Sequence, residues 1–465
     1  MADSDGSMLL NSPGFSTTMM PTMIYCRERH RQKNILLFLL LGLYGSSSCL
    51  WAQSGALSNA NPYGRIIREI RIRGLHNVRE DIVRDQLDSK AGQAYTEETA
   101  RNDTRGLDRL GVLSSIRITP SLTDNEVMLE IEVQELVRIL PYPAVNVTAE
   151  NGVSAGFGVK VPSLLRRAVA FSASARFGPL TEVELLLQSP WRLRPRVWFD
   201  AKYNYRDRPN NLDHFQEHAD EIEIRAGATF RRNWRVGGRF AFISLESDKP
   251  GITLSLDNRD LTPALGAILE YDGRDLRSNP HKGWHAIFDI SHNGGWLGGD
   301  GDFQTAQFDL RRYQPLGARH VLAFFSFATL QSGVVGKDVP LYRNYHIGGS
   351  NSLRGWKPDA RQGNNQWLNT LEYRYELIPP RSFKVSRFGF YLGVQLAAFG
   401  DLGTAWDGGA DFSRNMIGGG GFGIRLLMPV VDMIRIDFGF GQSGKGILSH
   451  FGLREKADYS RLRVR

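Results

Sequence analysis

Three short runs carry residue types at spacings used in catalysis. His214-Phe215-Gln216-Glu217-His218 has the order of an inverted zinc-peptidase motif, which requires two histidines on one helix face and a third ligand. It follows the polar run RDRPNNLD and leads into EIEIRAG, a hairpin turn entering a strand, so no metal is expected. Gly418, Gly420 and Gly423 have the spacing of a dinucleotide fingerprint, but strand-like sequence continues to Pro429 where the motif needs a helix. Those glycines are read instead as points of close packing in a sheet, and no cofactor is expected. Gly439 to Lys445 imitates a phosphate loop, with Gly446 where a Ser or Thr would hold magnesium. These residues do not describe an enzyme.

The remaining candidate is Tyr345 to Trp356, YHIGGSNSLRGW. It joins a double glycine, Gly348-Gly349, to a polar turn and to Arg354, held between Leu353 and Gly355. Glycine at this density inside a β-patterned chain marks backbone that passes close to something else. A long surface loop would also fit these residues.

The elements that position this stretch follow from composition and pattern. The chain has 465 residues, 42% hydrophobic and 23% charged, with 49 glycines and a net charge of +8. Such a length exceeds one ordinary soluble core. The mean hydropathy of −0.30 excludes a bundle of transmembrane helices but not a membrane barrel, whose strands alternate between lipid and water. No Lys/Arg block with interleaved aromatics points to nucleic acid. A single apolar run, Ile35 to Leu43, follows the basic stretch Arg27 to Lys33 and precedes Gly45 to Ser48. That is a secretory leader, too short to span a bilayer. Cleavage after Ala52 is expected; lipidation at Cys49 is disfavoured by Ser46, where a lipoprotein signal has Leu or Val. Met19, Met20 and Met23 are alternative starts. Cys26 and Cys49, the two cysteines, depart with residues 1–52, leaving no thiol for a disulfide or a metal.

Residues 53–64 read as a polar linker. From 65 to 136 the pattern is β-α-α-β-β: an alternating strand at Ile66 to Arg73, a helix capped by the Asn77/Glu80 pair, a second helix opening at Thr96-Glu97-Glu98 and closing at Gly111, then Ser115 to Thr119 and Val127 to Val133. That is a small α+β domain. From 137 to 453 about sixteen alternating segments recur at roughly 20 residues each. In Trp367 to Leu377, Leu371, Tyr373, Tyr375 and Leu377 face one way, and Thr370, Glu372, Arg374 and Glu376 the other. Charges inside a sandwich would be costly, whereas charges facing a wet lumen are not. The fold is therefore mainly β, a sixteen-stranded transmembrane barrel, with residues 454–465 as a charged tail.

The chain resembles the BamA/TamA-like outer-membrane assembly factors, with one polypeptide-transport-associated (POTRA) domain and a bacterial surface-antigen barrel. IREIRIRGLHNV, DRLGVLSSIRI, YDGRDLRSNPHKGW, IGGSNSLRGW, AAFGDLGTAW and GGFGIRLLMPVVDMIRIDFGFG, in that order, carry the likeness from Arg65 to about Leu453. The resemblance implies that the loop holding Arg354 folds back into the lumen. It further implies that Arg354 meets acidic side chains of the wall, Glu372 and Asp401, as a multidentate clamp that lysine could not reproduce. It places the barrel in the outer membrane of a Gram-negative bacterium, POTRA domain in the periplasm, helping to insert or translocate polypeptides. Unfolded clients would pair with a POTRA edge strand, beside the lipid bilayer and accessory subunits. A secretion pore for one dedicated partner and a passive pore or surface antigen are the alternatives. A single POTRA domain and the charged tail depart from the family pattern.

Overall fold

A computed structural model describes residues 61–148, 152–190, 196–277, 279–385, 388–408, 411–428, 432–441 and 446–454. The expected leader, residues 1–52, and the tail beyond Arg454 lie outside these. The N-terminal domain holds β1 (Ile67–Arg73), α1 (Glu80–Arg84), α2 (Glu97–Asp108), β2 (Leu113–Thr123) and β3 (Glu126–Glu135). Its sheet has the order β1-β3-β2, with β1 parallel to β3 and β2 antiparallel to it. Leu129 and Ile131 alternate onto the face covered by Val83 and Leu107 of the helices, and an irregularity in β1 between Ile67 and Glu69 brings both Ile67 and Ile70 to the same core. Each such burial contributes ~1.5–3 kcal/mol.

Thr96 caps α2 in a reciprocal box with Thr99, as the sequence predicts for that start, although the partner is a threonine. The expected Asn77/Glu80 cap does not form. Helix α1 begins after Arg79 without a side-chain cap; ahead of it the Glu135 carboxylate accepts from the backbone N–H groups of His76, Asn77 and Val78 at 3.0, 2.7 and 2.9 Å. For the Asn77 N–H, this long-range acceptor on β3 stands where the capping pair would have put Glu80.

The second part is built from β4 (Leu140–Thr148), β5 (Gly152–Leu164), β6 (Val169–Phe177), β7 (Thr181–Gln188), β8 (Val197–Asn210) and β9 (Phe215–Phe230). It continues through β10 (Trp234–Ser247), β11 (Arg259–Asp272), β12 (Gly283–Gly294), β13 (Asp302–Gly317) and β14 (His320–Gln331). After a small hairpin, β15 (Tyr345–Ile347) with β16 (Arg361–Gly363), come β17 (Asn365–Val385), β18 (Phe388–Trp406), β19 (Ile417–Met428), β20 (Asp432–Gly441) and β21 (Leu448–Arg454). Sixteen of these strands form one antiparallel meander that runs from β4 to β21. The end strands lie side by side without a hydrogen-bonded ladder between them among the described residues.

Which face is buried is inverted relative to a soluble protein. Along β9, Glu217, Glu221, Glu223 and Arg225 are buried while Ile222, Ile224 and Phe230 are exposed. The charges face the lumen and pair there: Arg225 with Glu223 at 2.8 Å, Arg239 with Glu223 at 2.9 Å, Arg208 with Glu217 at 3.0 Å. Moving one of these arginines to the lipid face would cost about 2–4 kcal/mol at mid-membrane, so this alternation sets the register of the wall.

The small domain is fastened to the rim. Arg109, 4% exposed, donates to the carbonyl of Arg232 and to Asn233 Oδ1 at 3.1 Å each, and to the carbonyl of Asp272. Burial pulls its pKa down to about 10, so the guanidinium stays charged at neutral pH. Ala168, in the turn between β5 and β6, packs into the small domain's core. Replacing Arg109 with alanine strands three acceptors, at ~1 kcal/mol or more each. Hydrogen exchange at 231–233 is expected to accelerate at least about tenfold, with the domain's own core amides unchanged.

Candidate functional site

The 33-residue excursion between β14 and β17, residues 332–364, turns inward. Ile347, at the end of β15, and Leu353 pack against Leu368, Ala405 and Ile417 of the wall, with Trp356 and Ala360 beside them. Ile347 and Leu353 are fully buried. Of the two readings the sequence left open, the loop is therefore the folded-in one. Gly348, Gly349 and Gly355 all have positive φ (132°, 81° and 87°), the region that glycine enters without strain. Ser352 Oγ closes the turn, accepting from Gly348 N–H at 2.8 Å and donating to its carbonyl at 2.7 Å.

Arg354 sits at the tip, 3% exposed. Its Nε and Nη2 donate to the two oxygens of Asp401 at 2.8 Å each, and its backbone N–H adds a bond to the same carboxylate at 3.1 Å. Nη1 reaches Glu372 at 3.1 Å and Asp437 at 3.3 Å. The guanidinium carbon lies 3.4 Å from the centre of the Phe399 ring. The carboxylates have other partners: Glu372 accepts from Arg374 at 2.7 Å and Arg425 at 2.8 Å, and Asp437 pairs with Arg425. Three arginines and three carboxylates thus neutralise one another on strands β17 to β20, with Arg435 3.8 Å from Asp437 as a further cation. Both wall residues that the resemblance implies, Glu372 and Asp401, are in contact with Arg354.

Asp437, Arg425, Phe399 and His450 escaped the sequence reading. A parity signal was available for two of them: Arg425 and Asp437 interrupt otherwise apolar or glycine-rich strands at lumen-facing positions. His450 Nε2 accepts from Gly355 N–H at 2.9 Å, which fixes the ring as the Nδ1–H tautomer. The last strand is thereby tied to the loop tip. Trp356 Nε1 donates to the Gly418 carbonyl at 2.8 Å.

The misleading glycine motifs belong to this contact. A Cβ on Gly419 would strike the Arg354 carbonyl, one on Gly439 would lie 2.7 Å from Gly355 N, and one on Gly441 2.5 Å from the Gly355 carbonyl oxygen. The glycine run is the floor on which the loop tip rests, not a phosphate cradle. The zinc-like motif fares likewise. Glu217 faces the lumen and His218 the outside of β9, so its ligands point apart. Glu270, Asp272 and His285 are clustered, but Arg274 grips both oxygens of Asp272 at 2.9 Å and Arg235 lies 3.8 Å from Glu270. Arginines already occupy the positions a cation would need.

A second tie holds the hairpin root. His346 Nδ1 is 2.8 Å from Asp359 and its Nε2 is 3.0 Å from Asp213, in the turn between β8 and β9.

Inward charges, an apolar outer skirt and a clamped lumenal loop, with an α+β domain at one rim, define a transmembrane β-barrel of the outer-membrane type. The Omp85 superfamily domain matches residues 165–451, and the POTRA "surface antigen variable number repeat" matches residues 66–136. The chain belongs to the Omp85 superfamily and is an outer-membrane protein with a POTRA domain. It is 26% identical over 219 residues to the outer membrane protein assembly factor BamA of Nitratidesulfovibrio vulgaris, an alignment covering 43% of this chain and 26% of that protein. In structure it is similar to BamA from Haemophilus ducreyi lacking POTRA domains 1–3 (16% identity, TM-score 0.53, 84% of this chain and 83% of that one). It is also similar to CdiB from Escherichia coli (13% identity, TM-score 0.55, 86% and 77%).

Separating a buried pair costs ~3–5 kcal/mol. Arg354→Lys, which keeps the charge but loses the fork on Asp401, is expected to expose the loop to external protease at least tenfold faster in the folded barrel. Gly355→Ala is expected to do the same through the Phe440 backbone, which its Cβ would strike.

Proposed function

We propose that the chain inserts or translocates other polypeptides at the outer membrane, without enzymatic chemistry, and that the Arg354 clamp governs the barrel's opening. The observation that carries this reading is the reach of the loop tip. Through Arg354, Gly355 and Trp356 it binds β17, β18, β19, β20 and, by way of His450, the end strand β21. It thus braces the side of the barrel that lies next to the unladdered junction with β4.

The first strand contributes to that junction. β4 carries Pro141 and Pro143, paired in register with Val159 and Phe157 of β5. N–H groups alternate sides along a strand, so both missing donors fall on one edge, and proline is tolerated where that edge is unpaired. Two rungs of the junction therefore have no donor from β4, which leaves a seam that can part.

On the small domain, the start of β1 is covered by the 92–95 segment, through Gly64 N–H to Tyr95 O at 2.7 Å and Tyr95 N–H to Arg65 O at 2.8 Å. β2 is the other sheet edge. We assign β2 as the strand that offers main-chain pairing to an extended client, from the periplasmic side. Accessory subunits would join there or at the rim.

Two measurements test this. Arg354→Ala, reconstituted in vesicles as a folded barrel, should lower insertion of an outer-membrane client about tenfold or more; wild-type insertion rates would remove the clamp from the mechanism. Pro141→Val with Pro143→Val restores two donors, at ~1 kcal/mol each. That double variant should raise the barrel's melting temperature and slow insertion. Higher stability with unaltered insertion would show that clients do not pass the seam.

A further inference from the structure

We propose that the lipid-facing rim of β12–β14, at the end of the barrel that carries the POTRA domain, binds the headgroup phosphate of an anionic phospholipid. The side chain at its centre is Arg312. Its neighbours Arg311 and Tyr313 are buried toward the lumen, so parity turns Arg312 outward, on the face of Phe308 and Leu310. The guanidinium carbon stands 4.9 Å from the ring centre of Trp284, its partner on β12, and Nη2 donates to Gln314 at 2.6 Å.

Several other cations near this rim are already paired. Arg311 is held by Asp309 at 2.9 Å. Arg232 is paired with Asp88, and Arg274 with Asp272. Among the described residues, no carboxylate lies within ion-pair distance of Arg312, of Lys282 at the foot of β12, or of Arg319 in the β13–β14 turn. Asp275, seven residues before Lys282, uses Oδ1 on the backbone N–H groups of Leu276, His281 and Lys282 at 2.9–3.1 Å. Three cations are therefore left without a protein counter-charge at one stretch of the membrane interface.

An arginine facing lipid is tolerated near the interface, where its stem lies along apolar surface and its head reaches the headgroup layer. Trp284 fixes the head as a shelf, leaving guanidinium N–H groups for phosphate oxygens in the geometry arginine prefers. The surface continues as a lipid needs it to: Ala286 and Leu310 lie opposite each other beyond the head site, then Phe288 opposite Phe308, both exposed to the membrane. This apolar track assigns the phosphate to a lipid rather than to a soluble anion. The site stands whichever polypeptide the barrel handles.

The test uses the full chain in nanodiscs of phosphatidylcholine with increasing phosphatidylglycerol, and native mass spectrometry to count retained lipids. Wild type should retain phosphatidylglycerol preferentially. Arg312→Gln combined with Lys282→Gln should weaken that retention about tenfold and leave phosphatidylcholine retention and heat-modifiable gel migration unchanged; Trp284→Leu should act in the same direction. Equal retention of the two lipids by wild type, or undiminished phosphatidylglycerol retention by the double variant, overturns the proposal. Displacement of the lipid by soluble glycerol phosphate at matched concentration overturns the assignment to a lipid.

Discussion

The barrel's interior depends on one desolvated guanidinium. Arg354 lies almost wholly out of water, where an unpaired charge would cost several kcal/mol or more. It can remain there because five donors meet acceptors fixed on strands, and because Glu372 and Asp437 are each shared with arginines of the wall. The charge network fixes the loop's position more than it adds stability. A well-packed apolar tip could hold as firmly, but it would slide. A planar fork over Asp401, stacked on Phe399, allows one register.

Backbone contact supplies the second half of that fit. Gly419, Gly439 and Gly441 remove every Cβ from the floor beneath Arg354 and Gly355, which lets the tip approach the wall at main-chain distance. Glycine in strands weakens them. β19 and β20 accept that loss next to β21, so the part of the wall nearest the end strand is intrinsically soft and is stiffened by the loop. The stiffening acts on the strands through which the junction with β4 is held.

Much of this was legible beforehand. Strict alternation in Trp367 to Leu377 placed Glu372 and Arg374 on the lumen side, and the structure buries both. The order β-α-α-β-β and the strand number followed from period and turn chemistry. What stayed hidden was long-range. Glu135 holds the Asn77 N–H that a local Glu80 partner would have taken, across some 60 residues, and propensity has no access to such a contact. Asp437 and His450 joined the clamp through strand neighbours, whose register is set by the whole meander. The resemblance supplied Asp401, and parity alone could not have selected it from the other lumen-facing acids.

Arg109 is the second anchor, at the rim. The POTRA domain does not hang from a linker; its helix α2 ends in a side chain seated between turns of the rim. A domain so fixed holds its β2 edge in a set orientation to the barrel, so a client paired there would be presented in one direction. The two anchors, Arg109 at the rim and Arg354 in the lumen, thus fix the small domain and the folded-in loop to the one barrel wall.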